Sequence, residues 1–147
     1  MEGIIEGMSK FYQDMVIKDL KCSKLQDYNK LSYNSILYLE LIYLNNGKIT
    51  ASDIANLLNV SKPAIIQKIN YLVDEEYIIK EQDKKDKRIF KLFLNPNCLF
   101  FIEKRKKEKE VKKMEKKYTK EEIEIYLTIF EDFKKVLIGG NNGNKCT

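Results

Sequence analysis

The chain has 147 residues, of which 44% are hydrophobic and 33% charged, and its formal net charge is +5. This length suits one globular domain, is short for most enzymes, and includes no apolar run near the roughly 20 residues that span a bilayer. Residues 1–8 lack the basic start and cleavage site of a signal peptide, so we expect a cytoplasmic protein with no membrane partner.

The first two predicted elements are helices whose apolar residues recur at helical spacing. Phe11, Met15 and the pair Val16 and Ile17 indicate a short amphipathic helix near the N-terminus. A longer helix is expected over residues 31–44. Its apolar positions include Tyr33, Leu37, Leu41 and Leu44.

Residues 50–73 then have the pattern of a helix-turn-helix. Thr50 is a candidate N-cap with Asp53 three residues later, a variant of the capping box, and predicts a helix from about Ala51 to Leu58. Ser61 is a second N-cap candidate, and Pro63 falls in the first turn, where a missing N–H costs little. A second helix is therefore expected from about residue 62.

The second helix has one apolar face and one face left for solvent or a partner. Its core positions are Ile65, Ile69, Leu72 and Val73. The outward positions are Lys62, Pro63, Ala64, Ile66, Gln67, Asn70 and Tyr71. Because such a helix pair is also an ordinary corner within helical domains, this pattern alone does not establish DNA binding.

A β-hairpin is predicted directly after the second helix. Residues 77–82 and 88–94 are β-prone runs separated by a polar loop, and Phe90, Leu92 and Leu94 share one face by period-two alternation. Arg88 lies where the second strand leaves the loop. Charged hairpin loops are usually just solvated, but a basic loop after a candidate recognition helix favours a DNA-binding wing.

The next predicted helix begins with Asn95 as cap and Pro96 at its first position, and becomes highly charged. Residues 103–117 contain nine Lys or Arg and four Glu, a balance of +5. A solvated helix that links a DNA-binding lobe to a dimerisation lobe is the simplest interpretation. The alternatives are an added site for DNA phosphates, a surface for an acidic protein partner, and partly disordered coil.

The last predicted helix follows a capping box, Thr119 to Glu122, and ends at Gly139 and Gly140. Residues 140–147 are expected to be a disordered tail. The helix has an apolar stripe that consists of Ile123, Tyr126, Leu127, Phe130, Phe133 and Leu137. A stripe of this kind usually packs in a core.

Several of these positions together resemble the MarR family of winged-helix bacterial transcriptional regulators. The matching positions, in the order and spacing of the family, are Leu31-Ser32, Ile49-Thr50, Ile54-Ala55, Val60-Ser61, Leu72, Tyr77-Ile78, Asp86-x-Arg88 and Leu94. The resemblance covers most of the chain, and Asp-x-Arg followed six residues later by Leu is its most specific part. The chain departs from the family at Glu76, where Gly is common, and at residues 95–98, which replace a Thr-rich turn.

The resemblance implies a mainly α fold with a small β-hairpin (α+β), in which 1–147 form a single MarR-like domain. Residues 31–94 would be the winged helix-turn-helix lobe, and residues 1–30 and 95–139 the dimerisation helices. It also implies a homodimer on a pseudo-palindromic site in double-stranded DNA, with Arg88 in the minor groove, oriented by Asp86. Release by a small aromatic or anionic effector is a further implication.

Residue chemistry assigns individual contacts on the outward face and the wing. Gln67 could bond adenine N6 and N7 together, with Asn70 as runner-up, while Ala64 and Ile66 could pack on thymine methyl groups. Phosphates suit the N-terminus of the second helix and the lysines of the wing. The full set of candidate DNA-binding residues is Ser61, Lys62, Pro63, Ala64, Ile66, Gln67, Asn70, Lys84, Lys85, Lys87 and Arg88.

Catalysis, cofactors and metals have no support in the sequence. It has no His, no Gly-rich phosphate loop and no nucleophile elbow, and Cys22, Cys98 and Cys146 lack metal-ligand spacing. Cys22 is a redox candidate by analogy with oxidant-sensing family members. The functions we consider besides transcriptional regulation are a winged-helix protein-interaction module and a non-specific DNA-binding protein that uses its Lys-rich helix.

Overall fold

A computed structural model of the protein describes residues 3–22 and 31–139. In these ranges the elements are, in chain order, α1 (Ile4–Cys22), α2 (Tyr33–Asn45), α3 (Ala51–Leu58), α4 (Lys62–Asp74), β1 (Ile78–Gln82), β2 (Phe90–Leu94), α5 (Leu99–Glu115) and α6 (Lys120–Ile138). The expected mainly α fold with a β-hairpin is confirmed. The chain divides into two compact units, Met1–Cys98 and Leu99–Thr147. No helix in the described ranges has both the length and the apolar character needed to cross a bilayer.

The core of the first unit lies where α2, α3 and α4 bring fully buried aliphatic side chains together. These are Leu39, Ile42, Ile54, Ile65, Ile69 and Leu72, joined by Leu92 of β2. Truncating one such residue to Ala typically costs about 2 to 5 kcal/mol of folding stability. The predicted core positions of α4 are therefore confirmed, with Val73 only half-buried.

The helix α2 is present as predicted, but the apolar positions named for it do not mark its buried face. Tyr33 and Leu44 are exposed, whereas the buried residues are Ser35, Tyr38, Leu39 and Ile42. Because α2 is apolar on nearly every side, its periodicity does not select the face that packs against the rest of the unit.

The helix starts of the helix-turn-helix were predicted correctly. Thr50 and Asp53 form a full capping box, in which each side chain accepts from the backbone N–H of the other. Ser61 caps α4, its hydroxyl accepting from the Ala64 N–H, and Pro63 lies in the first turn. These caps satisfy N–H groups that have no partner within the helix, so both helices begin where the local sequence indicates.

A glycine after α2 allows the hairpin to pack closely on that helix. Gly47 has φ +80°, and a Cβ at this position would collide with the ring of Phe93. Its N–H donates to the Leu92 carbonyl at 3.1 Å. A larger residue at position 47 would therefore strain the backbone and displace β2.

The residues just before β1 and just after β2 contact each other, at positions where the chain departs from the family pattern. Glu76 adopts a left-handed conformation, with φ 61°. Its carbonyl accepts from Asn95 Nδ2 at 2.8 Å, and Asn95 Oδ1 accepts from the Asn97 N–H at 3.0 Å. The expected role of Asn95 as cap, with Pro96 at the first helical position, was therefore wrong: these residues form a turn, and α5 begins at Leu99.

In the second unit, α5 carries ion pairs between neighbouring turns. Glu103 pairs with Lys106, and Glu110 with Lys113. The coil alternative for the charged run is thus excluded over Leu99–Glu115. The Thr119 capping box of α6 is present as predicted, and the helix ends before Gly139. The expected disordered tail lies outside the described residues.

Candidate nucleic-acid interface

The outward face of α4 is exposed as the sequence predicts. All seven expected positions, Lys62, Pro63, Ala64, Ile66, Gln67, Asn70 and Tyr71, are accessible to solvent. Ile66 is unusual among them, because it is an apolar, β-branched residue that is nevertheless 39% exposed. At the start of this face, backbone N–H groups and the positive end of the helix dipole adjoin Ser61 and Lys62, an arrangement suited to a phosphate.

The two amide side chains of this face have different surroundings. Gln67 and Asn70 are three residues apart and therefore neighbours on the helix surface. Asn70 Oδ1 accepts a hydrogen bond from Lys80 Nζ of β1 at 2.9 Å. Within the described part of the chain, the Gln67 side chain makes no hydrogen bond, which leaves both its donor and its acceptor for a ligand.

The wing arginine is held by the aspartate two residues before it. Asp86 Oδ1 accepts from the Arg88 backbone N–H at 2.9 Å and from Nε at 3.2 Å. Asp86 Oδ2 accepts from Arg88 Nη2 at 3.2 Å. The guanidinium beside it lowers the pKa of the Asp86 carboxyl. The Arg88 side chain is nevertheless 91% exposed, so most of its donors remain available to a partner.

Asp83 organises the wing loop, a role that sequence analysis missed. Its Oδ1 accepts from the N–H groups of Lys85 and Asp86 at 2.8 and 3.1 Å, and its Oδ2 lies 2.8 Å from Lys91 Nζ. Lys91, followed by the two N–H groups, lowers the pKa of Asp83 to about 2. An Asp at the first loop position, able to accept from residues two and three positions on, was the available signal.

The wing lysines surround this ordered loop. Lys84, Lys85 and Lys87 are all exposed, and the Lys87 carbonyl accepts from Gln82 Nε2 at 2.7 Å. Residues 61–94 contain eight basic and six acidic side chains, a net charge of +2. The interface therefore has modest bulk charge, and four of its eight basic residues, Lys84, Lys85, Lys87 and Arg88, lie at the wing tip.

The remaining candidate is Cys22, for which the sequence predicts a redox role. Cys22 is the last residue of α1, but its side chain lies outside the described residues, so its redox role stays a prediction. Among the side chains that the structure describes, no group of three or more His, Cys, Asp or Glu could hold a metal ion.

Comparison with known proteins gives a family and a set of similar folds. The model of the MarR family matches residues 30–89. Streptococcus pneumoniae FabT in complex with DNA is 18% identical with TM-score 0.60, over 91% of this chain and 94% of that one. Transcriptional regulator Tm0710 from Thermotoga maritima is 18% identical with TM-score 0.53, over 89% and 94%.

A third similar structure is the heme sensor protein PefR from Streptococcus agalactiae in complex with heme. It is 20% identical with TM-score 0.50, over 93% of this chain and 95% of that one. At such identities the likeness shows a shared fold. No curated protein matches the chain.

Proposed function

We propose that the chain, whose residues 30–89 match the model of the MarR family of winged helix-turn-helix transcriptional regulators, binds a pseudo-palindromic DNA operator as a repressor. Members of this family are transcription regulators and not enzymes, which agrees with the expectation from the sequence. A protein that acts on the bacterial chromosome in this way would work in the cytoplasm.

The wing is the observation that carries the proposal. Arg88 projects into solvent while Asp86 holds one side of its guanidinium. The narrow minor groove of AT-rich DNA concentrates negative potential and attracts an inserted arginine. Asp86 would keep the guanidinium in one orientation before binding, which lowers the entropy lost when DNA is bound.

The exposed face of α4 supports the second half of the proposal, contact with bases in the major groove. Gln67 has the donor and acceptor that adenine N7 and N6 require. Ala64 and the exposed Ile66 offer apolar contact to thymine methyl groups. Ser61, Lys62 and the wing lysines would bind phosphates, which fix the position of the protein but do not read sequence.

Homodimer formation is part of this proposal because both terminal helices leave apolar side chains in solvent. No residue of α6 is buried within the chain. Its exposed residues include Ile125, Tyr126, Leu127, Ile129 and Phe130, and those of α1 include Ile5, Phe11 and Leu20. Apolar surface of this extent on separate helices indicates a protein interface. A second copy would cover it and bring two α4 helices to sites about one DNA turn apart.

We include release by a small aromatic or anionic effector in the proposal. Its support is the match of residues 30–89 to the MarR family model, together with the similar fold of PefR, a heme sensor that has been solved with heme bound. A screen that measures loss of the protein–DNA complex on addition of such compounds would test this part separately.

The central experiment selects bound sequences from a random pool of duplex DNA. We expect an enriched motif with two inverted half-sites about one helical turn apart, and salt-sensitive binding to that motif in a mobility-shift assay. Binding that is absent or independent of sequence would contradict the proposal and favour a protein-interaction module. The genes beside each enriched site would then indicate the regulated pathway.

A further inference from the structure

The exposed amide of Asn70 is held by Lys80, a residue to which the sequence assigned no role. Lys80 Nζ donates to Asn70 Oδ1 at 2.9 Å. The same ammonium group lies 5.3 Å from the centroid of the Phe90 ring. Because these residues belong to α4, β1 and β2, the contact ties the recognition helix to both strands of the wing.

Strand register explains why Lys80 reaches α4. Lys80 lies opposite Leu92 in the antiparallel pair, and residues opposite one another project from the same face of the sheet. Leu92 is buried and β1 packs against α4. The aliphatic stem of Lys80 can therefore follow the edge of the apolar core while its ammonium stays in solvent beside Asn70.

The chemistry of an ammonium group fixes the orientation of the Asn70 amide. A lysine side chain offers three donors and no acceptor, so only the oxygen of an amide can face it. The Nδ2 group then points away from Lys80, and it makes no hydrogen bond to any residue that the structure describes. The end of Asn70 that a ligand meets is consequently a donor.

This orientation decides which base edges Asn70 suits. Two-sided recognition of adenine needs the amide oxygen for N6 and the amide nitrogen for N7 at once. With Oδ1 turned towards Lys80, Asn70 favours edges that present acceptors, such as guanine O6 and N7 or thymine O4. The Gln67 amide has no partner in the described part of the chain, so it can still bond both N6 and N7 of adenine.

We propose that Lys80 is a positioning residue that sets the Asn70 amide, so that Asn70 donates to an acceptor-bearing base, guanine or thymine, and discriminates against adenine. The inference rests on the proposed operator binding. On the α4 face, Gln67 could then present both its donor and its acceptor to a base, whereas Asn70 would present only its donor.

The test measures base preference at one operator position and requires four proteins. Asn70→Ala first identifies the position in each half-site where preference is lost. Wild type, Lys80→Met and Lys80→Arg are then titrated against operators carrying each of the four base pairs there. Lys80→Met keeps the length of the stem but removes the charge, whereas Lys80→Arg keeps a side chain that only donates.

Wild type is expected to favour guanine or thymine over adenine by about tenfold, the range of one well-placed base contact. Lys80→Met should reduce this preference to about twofold or less, and Lys80→Arg should retain it. Preference at the position read by Gln67 should not change. Thermal melting of Lys80→Met, an exposed substitution, checks that the fold is intact.

Two results would overturn the inference while leaving the proposed function in place. In the first, Lys80→Met keeps the base preference, loses affinity equally on all sequences and shows a shallower salt dependence. Lys80 would then be a phosphate contact. The other is an Asn70→Ala variant that relaxes no position. Wild-type binding without any sequence preference would instead overturn the proposed function itself.

Discussion

Asp86 accepts three hydrogen bonds from Arg88, one from its backbone N–H and two from its guanidinium. The backbone bond fixes the turn, and the two side-chain bonds fix the direction of a residue that is otherwise almost fully exposed. An acidic residue beside DNA is unfavourable by charge alone. Asp86 therefore favours DNA binding only if the gain in affinity from orienting Arg88 exceeds the repulsion between the Asp86 carboxylate and the phosphates.

We expect Asp86→Asn to weaken operator binding by about threefold to tenfold, although it removes a negative charge, because a rotamer-rich arginine must then be ordered on binding. Fluorescence anisotropy with labelled operator measures this. Glu81→Gln is the matched control, since Glu81 is an exposed acid on the same hairpin and its neutralisation should leave affinity equal or higher. If Asp86→Asn behaves like Glu81→Gln, Asp86 does not orient Arg88.

Base reading by Gln67 and phosphate binding by Lys62 predict different mutant patterns. Gln67→Ala should cost about 1 to 3 kcal/mol on the preferred sequence and little on random DNA. Lys62→Ala should weaken binding to all sequences alike and reduce the salt slope by about one per subunit. Titrations of both variants on operator and random duplexes separate the two roles. Equal loss on both duplexes for Gln67→Ala would refute the base-reading role.

The Asp83 carboxylate predicts that order in the wing loop depends on pH. Its pKa is about 2 in the folded loop, against an ordinary 3.8, because Lys91 and two backbone N–H groups favour the charged form. A lowered folded pKa means that the contribution of Asp83 is fully present above the ordinary value. It is lost as the pH falls from about 3.8 to about 2.

NMR titration of the Asp83 carboxyl carbon tests this, with the amide signals of Lys85 and Asp86 as reporters of the loop. All three should change together near pH 2. Lys91→Met removes the largest cause of the shift, so its midpoint should move upwards. A wild-type midpoint at the ordinary value, without a change in the two amide signals, would contradict the proposed role of Asp83.

Features that depend on a few neighbouring residues were predictable from sequence. The caps at Thr50, Ser61 and Thr119 each involve a side chain and a backbone N–H three residues away. Alternation in β2 likewise placed Phe90, Leu92 and Leu94 on one face, of which Leu92 and Leu94 are buried. The outward face of α4 followed from its clear apolar stripe, in which Ile65, Ile69 and Leu72 are buried.

Features that depend on distant partners were not predictable. Asn95 has the composition of a helix cap, yet its amide donates to the carbonyl of Glu76, nineteen residues earlier. Asp83 acquires its main partner, Lys91, only when the hairpin pairs. In α2 the buried face follows from the surfaces it meets, including β2, and not from its own nearly uniform apolar sequence.

The proposed dimer predicts that a charge on the apolar stripe of α6 separates the subunits. Leu127→Lys places an ammonium group on that stripe, where Leu127 is exposed in the single chain but would be buried in the dimer. Thr128→Lys adds the same charge about 100° around the helix, on the polar side. Light scattering at micromolar concentration should give a dimer for wild type and Thr128→Lys, and a monomer for Leu127→Lys. A monomeric wild type would exclude the dimer.

The charged helix α5 gives a final prediction, since three of its four glutamates already pair with basic residues of the same helix. These pairs are Glu103–Lys106, Arg105–Glu108 and Glu110–Lys113. Pairs one turn apart stabilise a solvated helix without any ligand. Lys109, Lys112 and Lys116 form an exposed stripe that has no acidic partner within the described residues, so they are the side chains that a phosphate would use.

Two triple substitutions by Gln decide between a solvated helix and a phosphate site. One, the α5 triple, changes Lys109 and Lys112 of α5 and Lys116 in the turn directly after it, and the other changes Lys84, Lys85 and Lys87 of the wing. Each phosphate contact adds about 0.9 to the slope of log affinity against log salt, so the wing triple should reduce the slope by about 2.7 per subunit. If α5 is only a solvated helix, the α5 triple should leave it unchanged, because a lysine that contacts no phosphate releases no counterion from DNA. An equal reduction by both triples would show that α5 contacts DNA, and the solvated-helix interpretation would then be wrong.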